Sequence, residues 1–107
     1  MKNKGIVTLC GSTKFKDTFL EVSKMLTLKG KIVLMPGFFG HTDVEKPSDD
    51  IKFKLDALHF KKIDLSESIY VIDVGGYIGY STRNEIAYAD KLGKNITYYS
   101  KDVEGAK

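Results

Sequence analysis

Residues 68–92 read SIYVIDVGGYIGYSTRNEIAYADKL, and this stretch decides the fold. Its first seven residues are mostly apolar and β-branched, which is typical of a strand that is covered on both faces. A glycine-rich turn follows, and then a segment that ends at Gly93, a residue that commonly terminates helices. The stretch therefore predicts a buried strand, a tight turn and a helix that begins at Ser81 or Thr82.

Runs of the same kind predict three further strands, at 5–10, 31–35 and 95–100. Between the first two strands, apolar residues recur at steps of four, three and four, and Gly30 follows them. This spacing predicts an amphipathic helix that is stopped by the glycine. Its buried stripe consists of Phe15, Phe19, Val22 and Leu26.

A second helix is predicted from the capping residue Ser48 to about Leu65. Its two apolar stripes are Ile51, Leu55, Leu58 and Leu65 on the main face, and Phe53, Ala57 and Phe60 on the opposite face. A helix that is apolar on two sides usually needs two partners, which predicts a homodimer or a higher homo-oligomer. The alternative is that Phe53 and Phe60 cover a neighbouring loop.

The alternation of strands and helices predicts an α/β fold with three layers. It is a Rossmann/flavodoxin-like, mostly parallel sheet of about four to five strands with helices on both faces. We expect residues 1–100 to form one domain and the polar segment 101–107 to fray at its end. The irregular stretch 36–47 exceeds the usual loop length and is a candidate functional loop.

Composition narrows the possible functions. The chain has 107 residues and a net charge of +3, without a dense basic tract, so we expect a small anionic ligand and no nucleic acid. With a single cysteine and only His41 and His59, neither a disulfide nor a zinc cluster is expected, and no cofactor is implied. No apolar run is long enough to cross a membrane, which favours a soluble, cytoplasmic protein without a membrane partner.

In a parallel sheet, ligands bind beyond the carboxyl ends of the strands, near the switch in strand order. The segment CGSTKFK after the first strand supplies Gly11, Ser12 and Thr13 at a strand-to-helix turn. Free backbone N–H groups at such a turn favour a phosphate or another anion. The alternative is that Ser12 or Thr13 merely caps the following helix.

Glu85 also has two interpretations. Residues 82–85 match the capping box, in which a glutamate reaches back to the N–H of the capping residue. However, Glu85 shares a helical face with Ala89, so it should point toward the sheet edge. The helix dipole would also keep a carboxylate in the first turn ionised, as a nucleophile requires.

The motifs CGSTKFK, GFFGH and YVIDVGGYIGYSTRNEIAYADKLGK together resemble the nucleoside 2-deoxyribosyltransferase-like superfamily, which includes 2'-deoxynucleoside 5'-phosphate N-hydrolases. The resemblance covers nearly the whole chain. It implies that Glu85 attacks the anomeric carbon, and that Gly11 and Ser12 hold a 5'-phosphate. The phosphate-contacting serine of the family falls on Gly79, which leaves Ser81 to substitute for it. The family's helical aspartate falls at His59 or a neighbour, with Asp56 and Asp64 nearby.

The resemblance thus implies an enzyme that cleaves the N-glycosidic bond of a nucleoside or its 5'-monophosphate through a covalent intermediate. Water or a second base then resolves that intermediate. Asp73 is the first candidate for the acid that protonates the leaving base, and His59 is the second. The ligand-facing turn residues also include Gly76. Aromatic and imidazole groups can stack on the base or close over it, with plain packing as the alternative for each; these residues are Phe38, Phe39, His41 and Tyr77. The alternatives are a non-catalytic nucleotide-binding or sensing module and an NAD-type glycohydrolase.

Overall fold

A computed structural model describes residues 5–37, 39 and 47–106. It contains one sheet of four parallel strands in the order β2-β1-β3-β4. The strands are β1 (Ile6–Gly11), β2 (Ile32–Leu34), β3 (Ser68–Ile72) and β4 (Asn95–Tyr98). The α/β class, the parallel sheet and the four strand positions are therefore confirmed, with strand ends that differ by one or two residues from the sequence prediction.

Helices cover both faces of the sheet, which gives the three expected layers. Helix α1 (Lys16–Leu28) packs on one face, in a core that includes Leu9, Tyr70 and Ile72. Helices α2 (Asp49–Leu65) and α3 (Tyr80–Lys91) lie on the other face. Their core consists of Cys10, Ile63, Ile69, Val71 and Ala89. Successive residues of β1 thus point to opposite layers, as the pleat of a strand requires.

Helix α1 has the buried stripe that the sequence predicts. Phe19 and Val22 are almost completely buried, Leu26 is buried, and Phe15 packs partly exposed at the edge of the same core. Gly30 follows the helix with a φ of 88°, a left-handed conformation that favours glycine. The predicted glycine stop is therefore confirmed.

Helix α2 has the predicted ends, because Ser48 is its N-cap and its hydroxyl accepts a hydrogen bond from the N–H of Ile51. Its predicted buried face is wrong. Ile51, Leu58 and Leu65 are about half exposed, whereas His59 and Ile63 are buried against the sheet. The helix is also anchored through its carbonyl at Lys62, which accepts hydrogen bonds from the hydroxyls of Thr8 and Ser66. These polar contacts select a face that apolar periodicity alone does not reveal.

The C-terminal segment is packed, so the expectation of a frayed tail is wrong for the described residues. Helix α4 (Tyr99–Asp102) follows β4 directly. Asp102 accepts a hydrogen bond from the hydroxyl of Tyr70, and Glu104 accepts one from the N–H of Gly75. These contacts fasten the segment to the strand and turn that precede α3.

Among the helices of the described ranges, none combines the length and the apolarity that crossing a membrane requires.

Candidate active site

The candidate site lies at the carboxyl end of the two central strands. The chain leaves β1 for β2 on one side of the sheet and later returns to β3 on the other side, so the strand order switches between β1 and β3. A switch point leaves a crevice between the diverging connections, and ligands of open parallel sheets bind there. Cys10 and Gly11 end β1 at this edge, and Asp73 follows β3.

The helix that carries Glu85 begins earlier than the sequence predicts. Its first residue is Tyr80 and its N-cap is Gly79, which has no side chain to cap with. Thr82 is therefore the third residue of the helix and is buried, so the capping-box interpretation is wrong. Glu85 lies in the second turn, where the helix dipole has little effect. Its predicted inward direction is confirmed, because it shares a face with the buried Thr82 and Ala89.

The Glu85 side chain lies close to the side chains of two other residues near the switch point. His59 Nε2 lies 3.7 Å from Glu85 Oε1 and 3.4 Å from Cys10 Sγ. A ligand atom from each of the three residues lies within 4.8 Å of the other two. The side chains of His59 and Glu85 are 9% and 13% exposed, and Cys10 is completely buried. We call these three residues the Cys-His-Glu cluster.

Burial favours the uncharged form of each residue of this cluster. Burial and the negative charge of Asp56 raise the pKa of Glu85 to about 8, partly opposed by its hydrogen bond with Cys10. Burial and the positive charge of Lys62 lower the pKa of His59 to about 4. Burial and the neighbouring Glu85 raise the pKa of the Cys10 thiol well above its usual value. The expectation that the helix dipole keeps Glu85 ionised is therefore wrong, since desolvation dominates at this position.

The cluster combines groups that the sequence prediction treated separately. Glu85 and His59 were both candidate catalytic residues, and the structure brings them together. Cys10 is a member that the sequence prediction lacks, although its place at the end of a central strand is a usable signal. The absence of a zinc cluster was inferred from cysteines and histidines alone. Adding the Glu85 carboxylate gives three potential metal ligands among the residues that the structure describes, so cysteines and histidines alone are too narrow a basis for that inference.

Asp73, the first candidate for the general acid, lies outside the cluster. Its two carboxylate oxygens accept hydrogen bonds from the backbone N–H and the hydroxyl of Ser100, at 2.8 and 2.7 Å. Asp73 is 3% exposed and connects the end of β3 to the first turn of α4. These contacts give it a structural role, and leave His59 as the candidate acid that adjoins Glu85.

The turn after β1 is shaped by close packing. A Cβ atom at Gly11 would lie 2.8 Å from the carbonyl oxygen of Ile72 and 2.9 Å from its Cβ, so β3 leaves no space for a side chain. Ser12 is the N-cap of a short 3-10 helix, Thr13–Phe15, and accepts a long hydrogen bond from the N–H of Lys14. The capping role of Ser12 is therefore confirmed, while a ligand role for Gly11, Ser12 and Thr13 stays a prediction.

The turn after β3 meets the turn after β1 at the same edge. The ring of Tyr77 contacts Phe15 edge-on, with centroids 5.9 Å apart, and the ammonium group of Lys14 lies 3.6 Å from the centroid of Tyr77. Gly79 packs beside the Tyr77 ring. Gly76 and Ser81, which precede and follow this stretch in the sequence, are exposed. Two of the three predicted loops therefore converge.

The third loop is described only in part. Phe39 is 6% exposed and packs edge-on against Phe19, which makes it a core residue instead of an exposed stacking surface. Phe38 and His41 lie outside the described residues, so their predicted contacts with the base stay predictions.

A shallow cavity of about 450 Å³ borders the other side of α3. Arg83, Asp90 and Tyr98 are among the residues that line it, and no member of the Cys-His-Glu cluster does. The reactive groups and the cavity are thus separate features, and the chemistry of the cluster is the better guide to the site.

No model of a known protein family matches the chain, and no curated protein gives a significant sequence match.

Proposed function

We propose that the protein cleaves the N-glycosidic bond of a 2'-deoxynucleoside or its 5'-monophosphate, with Glu85 as the nucleophile. The observation that carries the proposal is the position of Glu85, whose carboxyl group is buried beside His59 at the switch point. Desolvation holds this carboxyl group largely neutral at pH 7, so its negative charge develops only as it attacks. An oxocarbenium-like transition state develops positive charge, which a poorly solvated carboxylate stabilises strongly.

The first step forms a bond between a Glu85 carboxylate oxygen and the anomeric carbon C1'. The C1'–N bond breaks, and its electron pair leaves with the base. His59 is neutral and adjacent, so its Nε2 accepts the proton of the Glu85 carboxyl group as the oxygen attacks. The imidazolium then gives this proton to the departing base. The products are a glycosyl ester of Glu85 and a neutral free base.

The second step reverses the roles of these groups. Water or a second base attacks C1', the ester bond breaks, and the Glu85 carboxylate leaves. His59 accepts the proton that the nucleophile loses and passes it to the Glu85 carboxylate, so the cluster returns to its starting state. Two displacements on C1' give overall retention of configuration, as in retaining glycosidases. Neither step requires Asp73.

The turn after β1 supports a 5'-phosphate as part of the substrate. The ammonium group of Lys14 lies at this turn, over the ring of Tyr77. A lysine at the ligand-binding edge of the sheet offers a cation to a phosphate group. Because nucleoside monophosphates are intracellular metabolites, a cytoplasmic location is part of this proposal.

A chromatographic assay tests the function. The purified protein is incubated with deoxynucleosides, ribonucleosides, their 5'-monophosphates and NAD, each with and without a second free base. We expect free base from at least one deoxyribosyl substrate. Release from monophosphates alone identifies an N-hydrolase, and base exchange on unphosphorylated nucleosides identifies a transferase. Release of nicotinamide from NAD alone, or saturable binding without turnover, would instead support the two alternatives given above.

We also propose that α2 forms a homodimer interface. Phe53 is 68% exposed, and Ile51, Leu58 and Leu65 expose about half of their surface on the same helix. Phe60, in contrast, packs edge-on against Tyr88 with centroids 4.9 Å apart, so the interface rests on Phe53 more than on Phe60.

Light scattering at micromolar concentration should give a dimeric or larger mass for the native chain and a monomeric mass for Phe53→Lys. A lysine at this position places a charge in the apolar interface. Leu28→Lys, at the exposed end of α1, is the control and should leave the mass unchanged. A native monomer, or a Phe53→Lys variant with unchanged mass, would contradict the proposed interface.

A further inference from the structure

The Cys-His-Glu cluster presents three different ligand atoms to one point. They are the thiol sulfur of Cys10, the imidazole Nε2 of His59 and a carboxylate oxygen of Glu85, all within 4.8 Å of one another. They come from β1, α2 and α3, three elements that the core holds rigidly together. Thiolate, imidazole and carboxylate are the ligand types that zinc accepts in proteins.

Two of the three separations between these atoms are close to the edges of a tetrahedral zinc site. Zinc bonds of about 2.3 Å to sulfur and about 2.0–2.1 Å to nitrogen or oxygen, at tetrahedral angles, place the ligand atoms roughly 3.3–3.6 Å apart. The observed Sγ–Nε2 distance is 3.4 Å and the Nε2–Oε1 distance is 3.7 Å. The third pair, Cys10 Sγ and a Glu85 carboxylate oxygen, lies within 4.8 Å, so an ion can enter the cluster with adjustment of the side chains and no rearrangement of the backbone.

We propose that Cys10, His59 and Glu85 bind one zinc-class divalent cation per chain, with a fourth position open to water. This inference goes beyond the proposed glycosidic activity and does not depend on it. Three protein ligands and one open position are the arrangement of catalytic zinc sites, whereas structural sites use four protein ligands. Sulfur and nitrogen ligands also favour zinc over the harder ions magnesium and calcium.

Charge balance supports occupancy of a buried site. Binding displaces one proton from the Cys10 thiol and one from the Glu85 carboxyl group, while the neutral imidazole of His59 donates its Nε2 lone pair. The resulting thiolate and carboxylate carry two negative charges, which the cation neutralises. The negative charge of Asp56, which acts on Glu85, adds a further attraction for a cation. The filled site therefore buries no net charge.

Metal binding has a consequence for Glu85. A carboxylate oxygen that coordinates zinc donates its lone pair to the metal. It is therefore a weaker nucleophile toward an anomeric carbon. His59 likewise cannot accept a proton at Nε2 while that atom binds the metal. The bound cation and turnover by Glu85 therefore exclude each other, and zinc should inhibit the metal-free enzyme reversibly.

Titration with Co²⁺ tests the site directly. Tag-free protein is treated with a chelator, desalted and titrated with Co²⁺, and Co²⁺–thiolate charge-transfer absorption is recorded in the near ultraviolet. We expect the absorption to saturate at one equivalent of Co²⁺ per chain and to disappear when Zn²⁺ is added. After excess zinc is removed, elemental analysis should find one zinc per chain.

Three variants and one control assign the ligands. Cys10→Ser should abolish the charge-transfer absorption, and His59→Gln and Glu85→Gln should each weaken binding by at least about 100-fold, more than the loss of an outer-shell partner. Glu21→Gln, at an exposed position of α1, should bind like the native chain. Circular dichroism checks the fold of each variant, and the His59 and Glu85 variants test the site even if Cys10→Ser does not fold.

Absence of saturable Co²⁺ absorption in the native chain would overturn the proposal, as would full absorption in folded Cys10→Ser. The outcome is distinguishable from that of the proposed function because the readouts differ. Base release without metal binding removes only this inference. Stoichiometric metal binding by a chain that, once freed of metal by a chelator, releases no base from any substrate removes only the glycosidic activity.

Discussion

Glu85→Gln should lower the rate of base release by about 10⁴-fold or more, as expected when the nucleophile of a covalent mechanism is removed. The amide cannot form the glycosyl ester. The fold should persist, because the raised pKa of Glu85 means that its carboxyl group is largely neutral at pH 7, and glutamine matches that form in size and polarity. Substrate binding should therefore change much less than turnover.

Glu21→Gln makes the same chemical change at an exposed position and should retain full activity. Single-turnover kinetics and binding of the intact substrate separate the chemical step from affinity. Native-like turnover by Glu85→Gln would exclude Glu85 as the nucleophile. Loss of the thermal unfolding transition would show instead that the carboxyl group has a structural role.

Phe19→Ala should lower the free energy of unfolding by roughly 3–5 kcal/mol, the range for truncation of a buried phenylalanine. Phe19 is completely buried, contacts Phe39 edge-on at 5.3 Å between ring centroids, and lies close to the turn at Gly11. Its loss thus leaves a cavity between α1, the sheet and Phe39. The change is a large part of the roughly 5–15 kcal/mol that stabilises a typical domain.

Urea unfolding followed by circular dichroism measures this effect. Leu20→Ala is the matched control, because Leu20 neighbours Phe19 in α1 but is 47% exposed. We expect the control to cost far less than Phe19→Ala. Equal losses for the two variants would mean that α1 does not pack on the sheet through its predicted stripe.

The sequence predicts the architecture well because each strand is a short apolar run with a clear stop. It predicts α1 for the same reason, since only one face of that helix is apolar. Helix α2 carries apolar residues on several sides, so periodicity identifies its ends but not its buried face. The structure buries His59 there, and this side chain contacts the polar atoms of Cys10 and Glu85. The spacing of apolar residues along a helix does not reveal such a polar contact between distant segments.

The candidate site, like the fold, can be predicted from the sequence only in part. Glu85 and its inward direction follow from helical spacing, whereas its electrostatic environment does not. The helix begins at Tyr80, before the apparent capping box, because the preceding turn ends in extended backbone at Gly79. The distance between Cys10 and His59 depends on how β1 and α2 pack. Segments 49 residues apart carry no local signal of that contact.

The glycosyl ester on Glu85 is the central claim, and trapping it is the most direct test. A 2-fluorinated sugar destabilises oxocarbenium-like transition states, so a 2'-fluoro analogue of the best substrate should release its base and leave the sugar on the enzyme. Intact-mass spectrometry should show one added fluorosugar per chain, and peptide mapping should place it on Glu85 and find none in Glu85→Gln. Base release without an adduct, or an adduct on another residue such as Cys10, would contradict the account.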